Sequence, residues 1–144
     1  MKLKGEIVIL DEPKKIRFET TEINTNNIEP HDIVAKTLYS AISPGTETAA
    51  YSGAPALRPG SAYPRLLGYC NVAKVVTIGK NVKSVRVGDI ILTGESHRSL
   101  FKTDDGNIIN KIPKNIYPEA ATLTYLYNLG LTSLQTLKLK ADSD

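Results

Sequence analysis

The chain has 144 residues, enough for one domain that withdraws roughly two-thirds of its unfolded surface from water, and its 41% hydrophobic and 23% charged content excludes a disordered or fibrous protein. Eighteen basic and fifteen acidic residues are spread without blocks, and the densest basic cluster, Lys138 and Lys140, is too small for a nucleic-acid arm. The single cysteine, Cys70, excludes an intrachain disulfide, and the apolar run from Ile7 to Leu10 is too short for a signal-peptide core or a membrane span; a cytoplasmic protein with no nucleic-acid or membrane partner is expected.

The first hundred residues read as short β-segments separated by turns, the pattern of a barrel or sandwich. Strands are predicted at 5–10, 15–20, 32–42, 72–78 and 89–93, each rich in Ile, Val, Thr or Tyr. Asp11-Glu12-Pro13, Asn26-Asn27, Glu29-Pro30, Gly79-Lys80-Asn81 and Gly88-Asp89 supply the turns between them. Residues 53–64, with Pro55, Pro59 and Gly60, read as a long loop that either borders a site or is a plain surface excursion.

After Pro113 the texture changes. Pro118-Glu119-Ala120-Ala121 has the proline and the acid of a helix start, and Ala121, Leu123, Leu126, Leu129 and Leu134 continue a helical pattern that Gly130 is expected to break or bend. Two short helices are predicted there.

Four segments in order carry a resemblance. They are Ser40-Ala41-Ile42-Ser43-Pro44-Gly45-Thr46-Glu47 with Tyr51-Ser52-Gly53; Tyr63-Pro64-Arg65-Leu66-Leu67-Gly68-Tyr69-Cys70; Val75-Val76-Thr77-Ile78-Gly79-Lys80-Asn81-Val82 running into Val87-Gly88-Asp89-Ile90-Ile91; and Lys111-Ile112-Pro113 with Pro118-Glu119-Ala120-Ala121 and Gly130-Leu131-Thr132-Ser133-Leu134. Together they resemble the N-terminal, GroES-like domain of the medium-chain dehydrogenase/reductase superfamily, and in particular its zinc-free branch, similar to quinone oxidoreductase and to bacteriochlorophyllide dehydrogenase-like proteins. The resemblance implies a mainly β fold, a partly open GroES-like barrel with short C-terminal helices. Residues 1–113 would form the substrate domain and 114–144 a helical passage toward a nucleotide-binding domain. No Gly-x-Gly pair exists among the ten glycines to turn over a pyrophosphate, so the Rossmann domain is expected to lie outside this chain, which reads as cut at a domain border.

The resemblance also assigns site positions. In zinc-dependent members a cysteine and a histidine hold the metal; here those positions fall on Ser43 or Pro44 and on Tyr69, with Cys70 where a glutamate follows, and 93–99 lacks the four cysteines of a structural zinc lobe. No zinc is therefore expected. Thr46 matches a hydroxyl that shuttles the substrate proton or touches the nicotinamide ribose, with a backbone-bonding turn hydroxyl as the bland alternative. Ser43, Thr46 and Tyr69 are the catalytic candidates; Glu47, Tyr69 and Cys70 the substrate-binding ones; Thr46 and Thr132 those for the cofactor. Packing competes with function for Tyr69 and Thr132, a small buried hydrophobe is the ordinary state of a lone cysteine such as Cys70, and pairing with a basic residue such as Arg65 or Arg98 is the alternative for Glu47. His97 is read as structural, at a position where many members carry a histidine, and His31 as a surface residue.

The function implied is the substrate-binding domain of a zinc-free NAD(P)-dependent oxidoreductase, moving hydride to or from a carbonyl, alcohol or activated alkene in the complete enzyme. NAD(P) belongs to that enzyme, and the isolated chain is expected to bind no cofactor. The expected partners are a small-molecule substrate and either a separate Rossmann-domain chain or a homo-oligomer. The alternative is a freestanding barrel that binds a ligand or partner protein without catalysis, which a stop codon after Asp144 would favour and a continuing frame with Gly-x-Gly-x-x-Gly would exclude.

Overall fold

The structure, a computed structural model, describes residues 1–55 and 62–137. The inner part of the expected 53–64 loop and the Lys138/Lys140 cluster thus lie outside the described residues.

Two antiparallel sheets make the fold. The first orders β2 (Lys15–Asn24), β1 (Lys2–Glu12) and β4 (Arg65–Leu66); the second orders β7 (Leu100–Asp104), β3 (Asp32–Ser40), β5 (Asn71–Ile78), β6 (Ile90–Thr93) and β8 (Ile108–Lys111). Among the described residues the sheets form no closed barrel, in keeping with a partly open, mainly β GroES-like fold. Where β1 comes against β7 the backbones approach closely, and a Cβ on Gly5 would run into the Leu100 Cβ.

The long apolar runs of the sequence have a spatial cause. β5 and β6 are covered on both faces: Ala73, Val75 and Ile91 join Ile33, Ala35, Val82, Val85 and Phe101 on one side, while Val72 and Leu92 meet Ala121 on the other. A strand buried on both faces loses the apolar-polar alternation of a half-exposed one. A third cluster, Leu10, Ala50 and Leu67 with Tyr63 against it, ties β1 to the short helix α1 (Thr46–Tyr51). The Tyr63 hydroxyl reinforces it by donating to the Ala50 carbonyl at 2.7 Å.

All five predicted strands exist, with shifted ends. β3 stops at Ser40 rather than 42, because there the Ala41 N–H turns to the Cys70 carbonyl and Ile42 faces solvent at 70% exposure. β6 starts one residue later than predicted, since the Asp89 carboxylate caps the preceding turn through the Arg86 N–H. Three strands were not predicted. β4 is two residues long, β7 carries the polar Lys102 and Asp104, and β8 follows a turn at 105–107; each exists by pairing with a distant strand, β1, β3 and β6 respectively.

The helical expectation needs a correction. α2 (Pro118–Ala121) starts where predicted, but α3 (Thr124–Thr136) runs straight through Gly130. The interruption falls instead at 122–123, where the Thr122 hydroxyl donates to the Glu119 carbonyl. A single glycine costs a helix only about 1 kcal/mol, too little to end one.

Candidate functional site

The first sheet, the end of β3 and the segment entering β7 converge beside α1. Residue 97 is strapped in by its backbone: its N–H donates to the Leu67 carbonyl at 2.7 Å and its carbonyl accepts from the Val8 N–H at 2.9 Å. Gly68 makes the approach possible. It adopts φ +94°, and a Cβ there would lie 2.8 Å from both the backbone N and the Nδ1 of His97.

The His97 ring bridges two other elements. Nε2 lies 2.6 Å from Glu47 Oε2, and Nδ1 lies 2.6 Å from Ser40 Oγ. The hydrogen-bond network sets the tautomer: a proton on Nε2 is donated to the carboxylate, and Nδ1 accepts from the hydroxyl. The second oxygen of Glu47 accepts from the Ser43 N–H at 2.8 Å, while the Glu47 N–H donates back to the Ser43 carbonyl at 3.1 Å. Glu47, only 6% exposed, thus has both oxygens satisfied, as a buried carboxylate requires. Cys70 is buried next to this group, and burial first, then the negative charge of Glu47, push its thiol up. That makes it a poor nucleophile.

The residues singled out in the sequence divide into two groups. Ser43, Glu47 and Cys70 come together in the interior. Thr46 is exposed at the start of α1, Tyr69 is half-buried with its ring edge-on to Tyr125 of α3 at 5.3 Å, and Thr132 is exposed on α3. His31 is a surface residue, as expected. The alternative of Glu47 pairing with Arg65 or Arg98 is not the one that forms: Arg65 sits over the Tyr63 ring and Arg98 engages Glu95 and Ser96, leaving Glu47 to His97. His97 was missed as the partner of Glu47, and Ser40 as the partner of His97, since separations of 50 and 57 residues leave no spacing signal; the one clue is that the chain has only two histidines.

This donor set does not suit zinc. The Glu47 oxygens are already engaged by His97 and the Ser43 N–H, whereas zinc needs free ligands converging on one point. Among the described residues no three His, Cys, Asp or Glu side chains gather in that way.

No family model matches the chain, and no curated protein matches it. Solved structures do. The chain is similar to 2R,3R-butanediol dehydrogenase from Bacillus subtilis at 20% identity and a TM-score of 0.80, over 95% of this chain and 48% of that one. It is similar to an Escherichia coli oxidoreductase/dehydrogenase of unknown specificity at 15% identity and a TM-score of 0.80, over 99% and 49%. It is also similar to the mitochondrial 2-enoyl thioester reductase Etr1p/Etr2p heterodimer from Candida tropicalis at 25% identity and a TM-score of 0.63, over 77% and 34%. The chain thus spans a third to a half of the length of the structures it matches. Its fold is that of the GroES-like domain of the medium-chain dehydrogenase/reductase superfamily.

Proposed function

We propose that the chain is the substrate-side domain of a zinc-free NAD(P)-dependent oxidoreductase, residues 1–113 forming the domain and 114–144 leading toward a nucleotide-binding unit, in the same chain or a separate one. The observation that carries this reading is a likeness extending over 95% of the chain to a dehydrogenase. A related solved structure of the fold is a complex with NADP and crotonyl-CoA, which favours NAD(P) and a small carbonyl or activated-alkene substrate here as well. The nicotinamide supplies hydride when bound. This chain's part is to shape and dry the substrate side, with Ser43, Tyr69 and Cys70 nearest the substrate, Glu47 beside them, and Thr46 and Thr132 reaching the cofactor. With metal activation lacking, orientation of substrate against cofactor carries more of the barrier.

The isolated chain would bind dinucleotide weakly, because the groups that hold a pyrophosphate belong to the other unit; losing ~4 kcal/mol weakens binding about a thousandfold. The test uses reduced nicotinamide mononucleotide at millimolar concentration against the isotope-labelled chain. Shifts confined to Ser43, Thr46, Tyr69 and their neighbours support the reading, and shifts elsewhere or none at all overturn it. Micromolar binding of NADH or NADPH to the isolated chain would contradict the division of labour, while binding that appears only with a second protein chain would favour the two-chain form.

A further inference from the structure

On the far side of His97 from Glu47 the surface opens into a groove of about 270 Å3, lined by Val8, Phe18, Thr37, Ser40, His97 and Arg98 among others. Ser40 stands in this groove with its hydroxyl on Nδ1, while Nε2 faces the interior carboxylate. Hydroxyl, imidazole and carboxylate therefore form one unbroken row of two 2.6 Å hydrogen bonds from open solvent to the buried side where Ser43 and Cys70 lie.

We propose that this row is a proton conduit, with His97 as the carrier between the groove and the Glu47 carboxyl. Ser40 Oγ passes its proton to Nδ1 and takes a replacement from groove water, while the proton on Nε2 moves to Glu47 Oε2. The ring ends neutral in its other tautomer, and one proton has crossed from solvent to the interior carboxyl. Two short hydrogen bonds to an imidazole, one to a charged acceptor, are the arrangement such transfer needs. The reverse sequence expels a proton. Its use rests on the hydride-transfer reading: reducing a carbonyl consumes one proton for each hydride, and oxidising an alcohol releases one.

Among the described residues the charged and titratable groups around His97 are few. Glu47 faces Nε2 from α1, Cys70 lies beyond it, and Glu6 and Arg98 border the groove. Arg98 is occupied by Glu95 and Ser96, so Ser40 is the hydroxyl that couples the ring to solvent.

Interconversion of the two His97 ring tautomers tests this directly, read by nitrogen-15 relaxation dispersion on the ring nitrogens of the 144-residue chain, because each proton passed along the row converts the Nε2–H form to the Nδ1–H form. In the native chain the Nε2–H tautomer dominates and the minor form is reached through Ser40. Ser40→Ala slows that interconversion by at least about tenfold, and Ser40→Thr, which keeps the hydroxyl, restores it. Interconversion indifferent to Ser40→Ala in a folded variant overturns the conduit, as does a dominant Nδ1–H tautomer in the native chain. The measurement needs no cofactor. A chain that interconverts as expected yet never responds to nicotinamide keeps the conduit and loses the oxidoreductase reading, whereas one that responds to nicotinamide with Ser40-independent interconversion does the opposite.

Discussion

Glu47 Oε2 and His97 Nε2 lie 2.6 Å apart, with their side chains only 7% and 14% exposed, and join α1 to the segment that enters β7. Truncating one partner strands the other. Removing the donor from a buried charged acceptor costs about 3 kcal/mol, because the carboxylate is left unsatisfied. His97→Ala is expected to lower unfolding free energy by about that much in urea titrations. Glu47→Gln, which keeps a hydrogen-bonding group of the same shape, is expected to cost less than half as much. A His97→Ala variant as stable as the native chain would show that the pair contributes nothing to folding.

Gly68→Ala should be damaging at a position where little is buried by the residue itself. The new methyl would meet the backbone N and Nδ1 of His97 at 2.8 Å, and the backbone there holds φ +94°, which L side chains rarely adopt. A loss of about 2 kcal/mol is expected from the backbone strain alone. Thermal unfolding gives the magnitude, and a displaced His97 ring resonance identifies the cause.

Gly130→Ala should act in the opposite direction. Gly130 lies inside α3, exposed, with nothing within 4 Å of where a Cβ would stand. Adding the methyl removes backbone freedom from the unfolded chain and is expected to stabilise by about 0.5–1 kcal/mol. A fall in unfolding temperature would mean that α3 is not helical at that position.

Acid should release a pairing at the edge of the second sheet. The hydrogen bond from Lys111 at 2.7 Å, and then the Arg86 N–H, hold the Asp89 carboxyl below its ordinary value of 3.8. A carboxyl depressed in the folded state adds stability above its unfolded pKa and loses it as pH falls through the folded one. The contribution is therefore present at neutral pH and disappears below about pH 4; with the lysine half-exposed it amounts to under ~1 kcal/mol. Asp89→Asn should remove that increment at pH 7 and leave stability near pH 2 close to the native chain's. Equal losses at both pH values would place the effect in turn geometry rather than in charge.

The sequence by itself determined much of the frame. Apolar runs such as Val72-Ala73 and Ile90-Ile91-Leu92 mark the central strands because burial on both faces demands continuous hydrophobicity, and Pro118-Glu119-Ala120-Ala121 marks a helix start because proline and an acid suit the first turn. These signals are local, so they can be read along the chain. β4, β7 and β8 carry no such signal, since a short or polar strand owes its existence to a distant hydrogen-bonding partner.

The site divides in the same way. Ser43, Glu47 and Cys70 stand out in short motifs, but the partner of Glu47 does not: two arginines offered the stronger charge, and the histidine that takes the position lies 50 residues away. Only the tertiary structure decided for His97. The bonds to Leu67 and Val8 fix its backbone, Gly68 clears its approach, and β3 ends where the Ser40 hydroxyl can reach Nδ1. Which groups meet in a buried site depends on how several backbone segments are held at once, and residue spacing along one chain does not encode that geometry.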